Sequence, residues 1–174
     1  AGAESVAGED VDVLELAASS ARQALSDIAD DVQIAFDVPE PPPKIEGDQG
    51  QLGEVFVVLF ENAILALDGA EGASIRVTVR DDDSSLSIRV EDDGPGIPDE
   101  LLDTLFEPFV TGRKREGPRT GTGLGLAIAH RMVERHSGTI EAGRSEALGG
   151  ARFVVTLPKR QRILGTASET TSDK

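Results

Sequence analysis

Hydrophobic and polar positions change period several times along this chain, and each change marks an element. Residues 1–10 are small, polar and acidic, and read as a linker. From Asp12 the period is helical: Leu14, Ala17, Ala21, Leu25 and Ile28 share one stripe, and Asp12-Val13-Leu14-Glu15 has capping-box spacing. Val32, Ile34, Phe36 and Val38 then alternate as in a half-buried strand, until the run Pro39 to Pro43 breaks it. A short extended piece around Ile45 precedes a second helix from about Gln49 to Leu67, which ends near Asp68-Gly69. Ile75, Val77 and Val79 mark one strand and Leu86, Ile88 and Val90 the next. The polar run Asp81 to Ser85 between them predicts an antiparallel hairpin. Asp92 to Pro98 reads as a loop, Pro98 to Leu105 as a short helix, and 110–121, with no apolar period, as a mobile surface loop. A helix over about 124–136 stops at Gly138. Strands Thr139 to Ala142 and Ala151 to Leu157, split by Gly149-Gly150, complete a domain over 12–158, and Lys159 to Lys174 reads as a disordered tail.

This order predicts an α+β domain, a mostly antiparallel sheet with helices on one face. It is not a βαβ repeat, so Rossmann and P-loop folds are disfavoured. Their motifs are missing too: Gly121-Thr122-Gly123-Leu124-Gly125-Leu126 is not GxGxxG after a strand, and no GxxxxGK[ST] occurs. A length of 174 residues suits one domain with a sizeable core. With six Phe and no Trp or Tyr, that core must be built mainly of Val, Ile, Leu and Ala. No apolar run approaches the ~20 residues that cross a bilayer, and no signal peptide opens the sequence. The absence of cysteine excludes disulfides and thiolate metal sites. A net charge of −15 argues against nucleic acid and anionic membranes as partners. A polyanion would need locally concentrated positive charge, and Arg113, Lys114, Arg115 and Arg119 supply it just before the glycines.

Three stretches carry candidate chemistry. The alternate glycines of 121–125 sit where a helix begins, so N–H groups and the helix dipole converge there on any phosphate. Asn62 shares a helical stripe with Leu52, Val55, Leu59 and Ala66. There it either bonds nearby backbone or offers its carboxamide oxygen as a hard ligand for Mg2+. Glu61, about 100° around the helix, is a neighbour of that ligand or an exposed side chain. Asp92 continues the inward parity of Leu86, Ile88 and Val90, whereas Glu91 and Asp93 point the other way. A core-facing carboxylate needs hydrogen bonds, from the loop N–H groups of Gly94 and Gly96 or from an exocyclic amine such as that of adenine. Phe106 and Phe109, in a chain poor in aromatics, read as anchors of the mobile loop.

Glu61-Asn62-Ala63, Asp92-Asp93-Gly94-Pro95-Gly96, Leu105-Phe106-Glu107-Pro108-Phe109 and Gly121 to Leu126 resemble, in this order, the N, G1, F and G2 boxes of the catalytic ATP-binding domain of sensor histidine kinases. The resemblance spans roughly residues 12–158. It implies the two-layer α/β sandwich of the gyrase, heat-shock chaperone, histidine kinase and MutL superfamily, with about five strands and three main helices on one face. It implies ATP and Mg2+ as ligands, with Asn62 on the metal and Asp92 on the adenine amine. The nucleotide-binding set it implies is Asn62, Asp92, Gly94, Gly96, Ile97, Phe109, Thr120, Gly121, Thr122, Gly123, Leu124, Gly125 and Leu126, with 110–121 as a lid. Asn62, Arg113 and Lys114 are the implied catalytic residues. Two departures shape the reading. The basic residue common three positions after the box Asn is Leu65 here, so Mg2+ and the lid, with Arg113, Lys114, Arg115 and Arg119 as candidates, must meet the phosphate charge. The water-activating Glu that the superfamily's ATPases place one turn before the Asn is Val58, so transfer is favoured over hydrolysis.

The phosphoacceptor pattern of such a kinase is missing: His130 and His136 are followed by Arg131 and Ser137. The chain therefore reads as an excised catalytic domain that does not autophosphorylate alone, residues 1–11 being the remnant of a connection to a dimerisation and phosphoacceptor hairpin. The implied partners are that hairpin and, through the full-length kinase, a response regulator, with no nucleic acid. The fragment reads as a monomer and its parent as a homodimer, cytoplasmic in this part whether or not the parent is membrane-anchored. A serine kinase of the anti-sigma type and a non-catalytic nucleotide-binding module are the rival readings.

Overall fold

The computed structural model describes residues 8–26, 31–111 and 122–160. Its centre is a five-stranded sheet of order β2-β4-β5-β7-β6. The strands are β2 (Gln33–Asp37), β4 (Ser74–Asp81), β5 (Ser85–Asp92), β6 (Thr139–Arg144) and β7 (Ala151–Pro158). Every pairing is antiparallel except β2 with β4. Period-two alternation places Ile75, Val77, Val79, Leu86, Ile88, Val90, Phe153, Val155 and Leu157 in the core. Helices α1 (Val13–Leu25), α2 (Gln49–Leu67) and α4 (Gly125–Arg135) cover that face, and the short α3 (Asp99–Leu102) precedes the turns at 103–109. The expected two-layer sandwich is the observed one.

Helix α2 is the axle. It begins where Asp48 accepts the Gln51 N–H at 2.9 Å, an N-cap, and ends on left-handed Asp68. By length and composition α2 is apolar enough to cross a membrane, but here Phe56, Leu59, Phe60 and Ile64 are buried in the core.

Several expectations are corrected. Residues 9–11, read as linker, are part of a strand: Glu9–Asp12 form β1, antiparallel to β3 (Lys44–Gly47), because Val11 and Ile45 face each other in the core. Asp12 then caps α1 by accepting the Glu15 N–H at 2.9 Å, as its spacing predicts. The buried face of α1 is Val13, Leu16, Ala17, Ser20, Ala21 and Ala24, with Leu14 and Leu25 only half-buried. Small residues turn inward because α2 approaches closely, and Ser20 Oγ donates to the Gly53 carbonyl across the pair. Ile28 lies outside the described residues. The helix expected over 98–105 regularises only at Asp99–Leu102. Lys159 belongs to the fold rather than to a tail: its N–H donates to Ser84, its carbonyl accepts from Glu46, and its ammonium pairs with Asp81.

Candidate functional site: a cavity between α2, the β5 loop and α4

A cavity of about 670 Å3 opens between the C-terminal half of α2, the loop after β5 and the N-terminus of α4. Val58, Asn62, Leu65 and Ala66 of α2 form one wall, and Pro95 to Pro98 with Leu101 and Leu105 the opposite one. Asp92 and the β7 residues Ala151 and Phe153 line it as well, as do Val110, Thr111, Thr122, Gly123, Gly125 and Leu126. An apolar wall with a few converging polar groups is the usual character of a small-molecule site.

Asp92 is 2% exposed. Its Oδ1 accepts the N–H of Gly94 at 2.9 Å and of Ala151 at 3.1 Å, which offsets the cost of burying the carboxylate. Its backbone carbonyl accepts the Gly150 N–H at 3.1 Å. A Cβ on Gly150 would stand 2.3 Å from both the carbonyl oxygen and Oδ1 of Asp92. Only glycine fits there. The inward parity expected for Asp92 holds, but Glu91, expected to face outward, is buried as well. The 145–150 turn covers it, and it accepts the Ser145 hydroxyl at 2.9 Å.

Asn62 lines the cavity one turn beyond Val58, and its Nδ2 donates to the Val58 carbonyl at 3.0 Å. The amide nitrogen is thus tied back to the helix, as the backbone-bonded reading expects, and the residue lines the cavity. Glu61 is exposed at the rim and also borders a second groove, between α1 and α2. At the other end, α4 starts at Gly125 with Leu124 as N-cap, and among the described residues no side chain caps it. Its first-turn N–H groups are oriented as an anion site requires.

Of the expected nucleotide set, the fold brings together Asn62, Asp92, Gly96, Ile97, Thr122, Gly123, Gly125 and Leu126. Gly94 stands beside the cavity through its bond to Asp92, and half-buried Leu124 is not part of the lining. Phe109 is not in the lining, and its expected role as an anchor is corrected. Its side chain is 72% exposed, and it contributes backbone instead: its N–H donates to the Gly123 carbonyl at 2.8 Å. At φ +71° Gly123 lies so close that a Cβ would meet the Phe109 backbone at 2.8 Å. This contact clamps together the two ends of the expected lid. Phe106 does anchor: it packs on the core and stacks on His130 with ring centroids 5.4 Å apart. Arg113, Lys114, Arg115, Arg119, Thr120 and Gly121 lie outside the described residues.

Sequence reasoning missed the Gly150-Ala151 contribution, since Gly149-Gly150 reads only as a turn. The contact joins residues 59 apart in sequence, and no local pattern announces it. The apolar lining by Leu101, Leu105 and Phe153 follows from inward parity along β7 and from packing of the short helix.

Comparison with known proteins fits this geometry. Residues 47–161 match the model of the histidine kinase-, DNA gyrase B- and HSP90-like ATPases. The sensory histidine kinase/phosphatase NtrB of Escherichia coli O157:H7 is 39% identical over 145 residues, covering 78% of this chain and 39% of that protein. Sporulation kinase A of Bacillus subtilis is 34% identical over 116 residues, 67% of this chain and 18% of that protein. Against the curated relatives it matches, the chain thus spans well under half of their length. Among solved structures, the mycobacterial sensor histidine kinase MprB superposes with a TM-score of 0.76 at 27% identity, over 88% of this chain and all of that one. The chain belongs to the histidine kinase-, DNA gyrase B- and HSP90-like ATPase family.

Proposed function

We propose that the chain is the ATP-binding catalytic domain of a sensor histidine kinase, and that its cavity holds Mg·ATP. The observation that carries the reading is the convergence of Asp92, Asn62 and the N-terminus of α4 on one cavity, from elements far apart in sequence. Asp92 accepts the adenine amine, a contact that guanine, with a carbonyl there, cannot make. The apolar wall formed by Leu65, Ala66, Ile97, Leu101 and Phe153 takes the faces of the base. Asn62, its Nδ2 held by Val58, offers Oδ1 to Mg2+. Among the described residues no group of three His, Asp or Glu side chains could hold a metal. That fits Mg2+, which keeps several waters and binds largely through phosphate oxygens. Mg2+ held at Asn62 would neutralise phosphate charge. The α4 N–H groups and the basic residues Arg113 and Lys114 of the lid meet the remaining charge.

The reaction is transfer. The bond from the γ-phosphorus to its β-bridging oxygen breaks, a P–N bond to an imidazole forms, the imidazole proton leaves and ADP is released. The chain's contribution is position and charge neutralisation, the general means of phosphoryl transfer. Val58 where a carboxylate would be needed to activate water disfavours hydrolysis. The acceptor histidine belongs to a dimerisation hairpin of the parent kinase, and a response regulator receives the phosphoryl group afterwards. His136 is fully buried, and His130, followed by Arg131, lacks the acceptor pattern.

The test mixes the chain with γ-labelled ATP and a separately produced histidine-bearing hairpin. Acid-labile label on the hairpin is the expected result. Acid-stable label would instead identify a serine kinase, and no label with intact ATP binding a non-catalytic module.

A further inference from the structure

Glu91 and Asp92 are consecutive residues of β5 that face opposite sides of the sheet, and both are buried, at 4% and 2% exposure. Asp92 belongs to the cavity. Glu91 does not, and an unexplained buried carboxylate on the back of the sheet asks for a role. Its register partners on the neighbouring strands are Arg76 on β4 and Arg152 on β7. Its hydrogen bond, however, goes to the turn between β6 and β7: fully buried Ser145 donates Oγ–H to Glu91 Oε1 at 2.9 Å.

Ser145 is the knot of that turn. Its Oγ accepts the Leu148 N–H at 3.0 Å, its N–H donates to the Gly150 carbonyl at 2.8 Å, and its carbonyl accepts the Gly149 N–H at 2.8 Å. The turn so tied delivers two N–H groups to Asp92, from Gly150 to the carbonyl and from Ala151 to Oδ1. Fixing Ser145 therefore fixes the donors that set the Asp92 carboxylate. We propose that Glu91 and Ser145 are positioning residues for base recognition, holding from the back of the sheet the turn that orients Asp92 toward the nucleobase. The inference rests on the reading of Asp92 as the adenine contact.

The experiment compares dissociation constants for ATP, GTP and inorganic tripolyphosphate. It uses the wild-type chain, Asp92→Asn, Ser145→Ala, Glu91→Met and the Ser145→Ala/Glu91→Met double variant. Loss of one buried hydrogen bond predicts a drop of about tenfold in ATP-over-GTP preference for either single variant. The double variant is expected to lose no more than either alone, since the two act as one unit. Tripolyphosphate affinity should not change, a pattern that general destabilisation does not produce. If Asp92→Asn removes the preference while Ser145→Ala and Glu91→Met retain it, the proposal is overturned and the Asp92 reading stands. If the wild type shows no preference, or Asp92→Asn keeps it, the Asp92 reading fails and takes the proposal with it. Should the variants not fold, amide exchange in the wild type decides. Adenosine is expected to slow exchange at Leu148, Gly150 and Ala151, and protection that leaves Leu148 unchanged overturns the proposal.

Discussion

Asp92 shows how a single position is specified from several directions. Period two along β5 turns it inward, Gly94 and Ala151 satisfy Oδ1, and Gly150 leaves room for the carboxylate. The last requirement is sharp. A methyl group at residue 150 would collide with backbone and carboxylate at once, so the strand or the turn must move. Gly150→Ala is expected to cost about 1–3 kcal/mol in stability, the range of overpacked sites, and to weaken adenine recognition with it. Urea unfolding and ATP titration check both, and a variant as stable and as selective as wild type would contradict the geometry. The orientation of Asp92 was legible in the sequence because alternation is a local signal. The burial of Glu91 was not, because the turn covering it arrives more than fifty residues later. Phe109 failed for a different reason: aromatic scarcity suggested a buried ring, whereas the structure uses its backbone N–H.

At the scale of elements, the end of the cavity beside α4 depends on how α2 and α4 are registered. Gly125 starts α4 against Val58 of α2, and at the far end His136 returns to the start of α2. The Asp48 N–H can only donate, so His136 Nε2 accepts it at 3.1 Å. That leaves Nδ1 protonated to donate to the Met132 carbonyl at 2.7 Å. The ring is fully buried. Removing it leaves a cavity, an unsatisfied N–H at the N-cap of α2, and two helices no longer pinned at that end. His136→Ala is therefore expected to lose about 2–4 kcal/mol, against about 1 kcal/mol for Asp48→Ala, which removes only the side-chain cap. Denaturant midpoints at equal m-values measure the difference, and equal losses would contradict the assignment of His136 as a bolt. The bounds of α2 were readable because Asp48, Asp68-Gly69 and an apolar period agree. The face of α1 was less so. Its buried stripe includes Ser20 and small alanines, chosen by the closeness of α2 rather than by hydrophobicity.

The whole molecule sets a harder electrostatic problem. A chain of net charge −15 is to bind a triphosphate, so repulsion must be offset where the phosphates lie. The α4 N-terminus supplies a partial positive charge, and Leu65 supplies none. On the proposed function, Mg2+ would therefore carry more of the neutralisation than it would beside a basic residue in α2. The fold class and the sheet order's mixture of helices and hairpins were legible from pattern alone, and the four motifs gave the family. The parallel edge β2–β4 and the added β1–β3 pair were not, since both depend on which strands meet across long connections. The central claim, that this cavity holds Mg·ATP through Asn62, is tested most directly by calorimetric titration of ATP into wild-type chain and Asn62→Ala, each with Mg2+ and with chelator. The account predicts that Mg2+ strengthens ATP binding to the wild type at least about tenfold, the effect of one good charge-assisted contact, and that Asn62→Ala loses this gain. Equal affinities with and without Mg2+ in both proteins would contradict it.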